Sequence, residues 1–289
     1  MGTESLQQTT ELSQTERREF SPPVRRNTIQ AGEAIKTMEK MEDNTVDCIV
    51  ADPPYNLSQN GEWDWDEKQW DMVSESWDEM GWGDYAEFTY KWITEAARIL
   101  KPTGTIWVFA SYHNSPFVNL AIREHGEILN EITWFKRNAF PNMSGSRFTA
   151  SQETIYWGHL NGEDRQYKFN YDTVKESMEC PEDQYTEAGK QIRSVWDIPT
   201  NKSSVEKEVD HPTQKPLRVY ERIIPASTDE GDMVFVPFIG SGNAALSAKL
   251  NNRDYFGVDV NVEYAKNADE YVNSVDEKPD MVDSIIIDS

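Results

Sequence analysis

The run Val46-Asp-Cys-Ile-Val-Ala51, followed at once by Asp52-Pro53-Pro54-Tyr55, constrains this chain more than any other segment. It is short, rich in β-branched residues and stopped by two prolines, which predicts a buried parallel strand ending at Asp52. Ligands in open α/β sheets sit outside the carboxyl ends of strands, so Asp52 falls where a ligand would be met. Two successive prolines fix the turn and remove two backbone N–H donors, leaving an acceptor-only surface. The Asp52 carboxylate and the Pro53 carbonyl can both accept hydrogen bonds from one NH2 group, and Tyr55 offers a flat face for stacking. The plainer alternative is an ordinary strand-to-loop turn, since Asp and Pro are common turn formers.

A second segment bears on that choice. From Gly231 the chain reads as a strand over Met233 to Phe238, a turn carrying Gly240, Ser241 and Gly242, a helix from about Asn243 to Leu250, and a strand from Tyr255 to Val258 that ends at Asp259. In a βαβ unit the glycine turn permits close backbone approach to a ligand, and an acid ending the next strand accepts hydrogen bonds from ribose hydroxyls. The turn lacks the Gly-Lys-Ser/Thr ending of triphosphate loops and the full Gly-x-Gly-x-x-Gly of dinucleotide sites. A nucleoside without a phosphate tail, such as S-adenosylmethionine, fits better.

With both segments in view the chain resembles the β-class DNA amino-methyltransferases, in which the catalytic motif precedes the cofactor motif. The resemblance covers roughly residues 27 to 272 and is carried by VDCIVADPPYN, ILKPTGTIWVFASYHN, NAFPNMSGSRFTASQETIYW, HPTQKP and PFIGSGNAA. It implies that Asp52, Pro53, Pro54 and Tyr55 are catalytic and that S-adenosylmethionine is the cofactor. It implies cofactor contacts from Asp52, Phe238, Gly240, Ser241, Gly242 and Asp259. Within His211-Pro-Thr-Gln-Lys-Pro216, Thr213 and Lys215 are expected to bind the cofactor carboxylate, with Pro216 opening a helix over about 217 to 227. Asp-Pro-Pro-Tyr is usual among adenine-N6 members and Ser-Pro-Pro-Tyr among cytosine-N4 members, so adenine in double-stranded DNA is the favoured substrate. Cytosine N4, RNA, and a DNA-binding relic without activity are the other readings. One departure stands out: family members commonly carry Asp before Pro-Phe in the cofactor strand, and this chain has Val236.

Charge at first argues against DNA. The formal net charge is −23, with 51 acids against 28 bases, whereas duplex binding normally rests on Lys and Arg neutralising phosphates. Either DNA is not the partner, or the protein works in strong brine, where the Debye length shrinks to about 3 Å at 1 M salt and an acidic surface keeps it soluble. The expectation is a protein of a halophile or its virus. The distribution of charge favours this second resolution. From Ile132 to Gln152 there is no Asp or Glu, while Lys136, Arg137, Asn138, Asn142 and Arg147 occur with interspersed serines. Basic and amide side chains reach phosphates and base edges, so these five are the expected DNA contacts.

Elsewhere the chain is quieter. Residues 1 to 26 are polar, with two Arg pairs and no apolar run of signal-peptide length, and read as a disordered arm. Residues 27 to 275 read as the catalytic domain, with a target-recognition region at about 137 to 210, and residues 276 to 289 as an acidic tail. No stretch of about 18 apolar residues occurs, so no membrane span is expected and the compartment is read as cytoplasmic. Two cysteines, Cys48 and Cys180, and four scattered histidines indicate neither a disulfide framework nor a metal site. Homologues of this class are often dimeric, so a homodimer is an expectation of the resemblance. Trp63, Trp65, Trp70, Trp77 and Trp82, interleaved with acids, read equally as a lid over an extruded base or as packing. Helices expected at 33–41, 84–100 and 115–125 alternate with strands at 27–30, 46–51, 104–110, 128–136 and 153–158, which predicts an α/β, doubly wound, mostly parallel sheet with an inserted recognition region.

Overall fold

A computed structural model describes residues 25–56, 80–139, 141, 145–160, 166–176, 189–200 and 214–276. His211, Thr213, Asn142, Cys180, the tryptophans at 63, 65, 70 and 77, most of the N-terminal arm and nearly all of the acidic tail lie outside them.

Strand β2 (Val46–Ala51) is buried along its whole length. It pairs in parallel with β3 (Leu100–Ala110) on one side and β7 (Met233–Val236) on the other. A continuous apolar run with no polar face is what a strand covered by helices on both sides requires. The sheet continues from β7 to β8 (Asp254–Asp259) and β1 (Thr28–Ala31), all parallel. Beyond β3 it turns to β5 (Gln152–Leu160), which runs antiparallel to both β3 and β4 (Gly126–Phe135), and ends at β6 (Val195–Asp197), parallel to β4. The order is β1-β8-β7-β2-β3-β5-β4-β6.

Helices cover both faces. On one lie α1 (Ala34–Met38), α2 (Trp82–Ile99) and α3 (Ser115–His125), which bury Met38, Trp92, Ile93 and Ile122 against Ile49, Ile106 and Phe235. On the other lie α5 (Leu217–Ser227), α6 (Asn243–Leu250) and α7 (Val262–Ser274), packed on Cys48, Val50, Val234 and Trp107. Fully burying one such aliphatic or aromatic side chain contributes roughly 1.5–3 kcal/mol, so these two layers fix the sheet and its edges. The doubly wound arrangement expected from the alternation is the one found. Two differences in extent are informative. The strand expected to run to Phe238 stops at Val236, because Pro237 cannot donate to a ladder. The region expected to be irregular, 159–210, contributes α4 (Tyr171–Glu176) and β6; both are too short to impose a periodic pattern on the sequence. Helix α7, after Asp259, also lies past the elements expected.

Candidate active site

Because β2 and β7 are parallel neighbours with Ile49 opposite Phe235, their carboxyl ends emerge side by side. Asp52 and the turn at 237–242 therefore share one edge of the sheet. Asp259 joins them from β8: its Oδ2 accepts a hydrogen bond from the Gly240 amide at 3.0 Å and its Oδ1 one from the Asn261 amide at 2.9 Å. Gly240 and Gly242 have φ of 50° and 89°, a region that L side chains rarely adopt. A Cβ at 242 would also stand 3.1 Å from the Cβ of Ala268 in α7. Part of the need for glycine here is thus the packing of two helices. Ser241 is buried between them in sequence.

The loop before α5 closes the same edge. Asn243, at the start of α6, donates from Nδ2 to the Lys215 carbonyl at 2.7 Å. The Lys215 ammonium lies 2.8 Å from Asp52 Oδ2 and 3.6 Å from Glu153 Oε2. It also sits 5.0 Å from the centre of the Tyr55 ring and 5.8 Å from that of Phe109. Tyr55 donates its hydroxyl to Asp52 Oδ1 at 2.7 Å, with Glu153 Oε2 at 3.1 Å. Lys136 completes the cluster 2.8 Å from Glu153 Oε1. Two carboxylates, two ammonium groups and one phenol are thereby gathered at the mouth of β2, β3 and β5.

Burial and charge compete in this cluster, and charge wins. Burial opposes the Lys215 ammonium, but Asp52 and Glu153 outweigh it and hold its pKa above the ordinary lysine value. Burial likewise opposes the Glu153 carboxylate, yet Lys215 and Lys136 hold it below the ordinary range. Burial, then the charges of Asp52 and Glu153, push the Tyr55 phenol well up, so it remains a donor.

The turn itself is pinned from behind. Tyr85 of α2 donates its hydroxyl to the Pro54 carbonyl at 2.8 Å and accepts from Asn114 Nδ2 at 2.8 Å. Asn56 adopts φ of 56°, tolerated by Asn better than by most residues. Its side chain donates to the Met80 carbonyl at 2.8 Å and accepts from the Met80 amide at 2.9 Å. Pro53 is buried, and its carbonyl accepts no hydrogen bond from the described residues.

The Phe238 ring packs edge-on against Phe88 and Trp92 of α2, at 6.1 and 5.6 Å. Val236 is buried in the core layer with Val50 and Val234. Of the five residues of the basic stretch before β5 expected to contact DNA, the structure describes four, Asn142 lying outside the described residues. Lys136 turns inward to Glu153. Arg137 Nε donates to the buried Asp197 at 2.8 Å. Asn138 donates to the Thr200 carbonyl at 2.7 Å and accepts from the Thr200 amide at 2.8 Å. Arg147 is exposed, with Nη1 3.4 Å from the Tyr112 hydroxyl, beside a Phe148 that is 98% exposed. Glu153, Tyr85, Asn114 and Asn56 were not singled out in the sequence. The one signal for Glu153 was its position as the first acid after the acid-free stretch.

A doubly wound sheet with an acceptor turn and a glycine turn on one carboxyl edge is the architecture of the Rossmann-like methyltransferases. The structure is similar to that of PvuII DNA methyltransferase (cytosine-N4-specific), with a TM-score of 0.63 at 16% identity over 87% of this chain and 90% of that one. It is also similar to the M1.HpyAVI–SAM complex, with a TM-score of 0.59 at 22% identity over 85% and 98%. In sequence it is 40% identical over 242 residues to the type II methyltransferase M2.DpnII of Streptococcus pneumoniae, covering 81% of this chain and 85% of that protein. Identity to M2.LlaDCHI of Lactococcus lactis subsp. cremoris, also a type II methyltransferase, is 39% over 249 residues, 83% and 87% of the two chains. Residues 46–270 match the N6/N4 DNA methylase family, and the chain belongs to that family.

Proposed function

We propose that this protein transfers a methyl group from S-adenosylmethionine to the exocyclic N6 of adenine in double-stranded DNA. The observation that carries the reading is the placement of Asp52, at the end of β2, beside the glycine turn that ends β7. An amino group inside a duplex is out of reach of such an edge, so the base is extruded from the stack. Asp52 and the Pro53 carbonyl then accept its two N–H bonds, which turns the nitrogen lone pair away from the ring. The Pro54 carbonyl is already held by Tyr85, which leaves Pro53 as the second acceptor. Tyr55 supplies the stacking face.

The residues present fit the cofactor. Gln214 Oε1 and Asn243 Oδ1 are buried acceptors without a hydrogen-bond partner among the described residues, on the same two turns that Lys215 and Asn243 tie together. Buried polar atoms are rarely left so, and the ammonium and ribose hydroxyls of S-adenosylmethionine are donors. Asp259, Gly240, Ser241, Gly242 and Phe238 would line its nucleoside, and Thr213 and Lys215 its carboxylate. When bound, S-adenosylmethionine supplies a methyl group on a sulfonium leaving group. Positioning by these residues supplies most of the acceleration, since orientation alone can offset about 7–11 kcal/mol of a barrier. Arg147 and Phe148 are the outward groups suited to the duplex, one for phosphate and the other for an exposed base face.

Incubating the protein with methyl-labelled S-adenosylmethionine and duplex DNA of mixed sequence tests the reading. Label in the DNA is expected. Label only in RNA, or binding of cofactor without transfer to any nucleic acid, would overturn it.

A further inference from the structure

Both oxygens of Asp52 are already occupied: Oδ1 by the Tyr55 hydroxyl at 2.7 Å and Oδ2 by the Lys215 ammonium at 2.8 Å. An incoming amino group competes with these two donors for the lone pairs of Asp52, and a donor that yields its place is left in a buried pocket. Unpaired buried donors, and buried charges above all, are strongly disfavoured. One atom answers for both. Glu153 Oε2 is 3.1 Å from the Tyr55 hydroxyl and 3.6 Å from the Lys215 ammonium, while Oε1 is anchored by Lys136 at 2.8 Å. Glu153 is 13% exposed at its side chain and is held at the first turn of β5 by the ladder that sets it opposite Trp134. It does not have to move to receive Tyr55, and the Lys215 ammonium has only a short gap to close.

We propose that Glu153 is a positioning residue: the acceptor that takes over the hydrogen bond of Tyr55 or Lys215 when the target amine engages Asp52. The exchange breaks no covalent bond and moves no proton; one donor changes acceptor. It rests on the reading of Asp52 as the amine acceptor and deepens it. Lys136 is then the counter-charge that keeps Glu153 ionised while it waits, which accounts for a lysine of the basic stretch facing inward.

The test uses Glu153→Gln and Glu153→Asp in the full chain, each alone and combined with Tyr55→Phe. Expected for Glu153→Gln is a fall in kcat of about 10-fold or more with little change in KM for DNA, since misplacement at a reacting centre costs up to about 10²-fold in rate. Glu153→Asp, which keeps the charge on a shorter arm, should recover part of that loss. Tyr55→Phe removes one of the two donors that can yield its place, so its cost should shrink in the Glu153→Gln background. Additive losses, or a folded Glu153 variant turning over at the wild-type rate, would overturn the proposal. If Glu153→Gln fails to fold by circular dichroism, Glu153→Asp carries the same comparison. A wild-type protein inactive on every DNA would instead defeat the underlying reading, so the two failures are told apart.

Discussion

Lys215 and Asp52 form an ion pair of 2.8 Å, and it links the loop before α5 to the acceptor turn after β2. The pair means that the proposed catalytic carboxylate, the expected carboxylate-binding lysine and the glycine turn are parts of one hydrogen-bonded assembly. Through the Lys215 carbonyl and Asn243 the same link reaches α6.

Replacing Lys215 by Met should therefore damage fold and activity together. Removing one partner of a buried pair costs about 3–5 kcal/mol, and because Asp52 keeps 22% of its side chain exposed the lower end of that range is expected. Denaturant unfolding of the variant against wild type measures it. Unchanged stability would show that water already screens the pair.

The same network fixes a pH dependence. Glu153, whose pKa is lowered in the folded state by Lys215 and Lys136 after burial has opposed them, contributes stability above the ordinary glutamate range. That contribution disappears as pH falls through its depressed value. Lys215, raised by Asp52 and Glu153 against burial, contributes below the ordinary lysine value and is lost as pH rises through its raised one. Melting temperature plotted against pH should show a broad plateau between these limits, with the acid edge flattened in Glu153→Gln.

Asn56→Ala should loosen the acceptor turn without touching the cofactor turn. It removes two buried hydrogen bonds to Met80 and places Ala in the left-handed region, for a loss of about 2–4 kcal/mol. Denaturant unfolding and equilibrium binding of labelled cofactor separate the effects: stability drops, cofactor affinity stays.

Cys48 should be chemically silent. Burial raises its thiol to about 12, with the Ser227 hydroxyl 3.7 Å away opposing the shift. Peptide mapping after mild alkylation of the folded protein should find Cys48 unmodified and find it modified after denaturation. Modification in the native state would mean that β2 opens readily.

Net charge of −23 makes salt the decisive solution variable. Activity on duplex DNA should rise with salt toward molar concentrations as repulsion is screened. Arg147→Ala should weaken DNA binding about equally for all sequences. Full activity at low salt with inhibition at molar salt would contradict the halophilic reading.

Much of this molecule was legible in its sequence because the relevant signals are local. The apolar run before Asp52, the glycine turn and the acid ending β8 lie within single βαβ units, where period and punctuation act over a few residues. What was not legible depends on contacts between distant segments. Nothing near Glu153 announces that it meets Tyr55, Lys215 and Lys136, and nothing near Lys136 or Arg137 announces partners at Glu153 and Asp197. A gap in the acids marks the basic stretch, but charge counting cannot tell a side chain facing DNA from one facing a buried carboxylate. The packing role of Gly242 against Ala268 was invisible for the same reason, since α7 comes later in the chain.

The central claim is that Asp52 receives an exocyclic amine beside the glycine turn. Its most direct measurement is digestion of duplex DNA to nucleosides after reaction with wild-type protein and with Asp52→Ala, followed by identification of the products by mass. The account predicts N6-methyladenine from the wild type and a loss of about 10²-fold or more from a folded Asp52→Ala. N4-methylcytosine as the product, or an undiminished yield from Asp52→Ala, would contradict it.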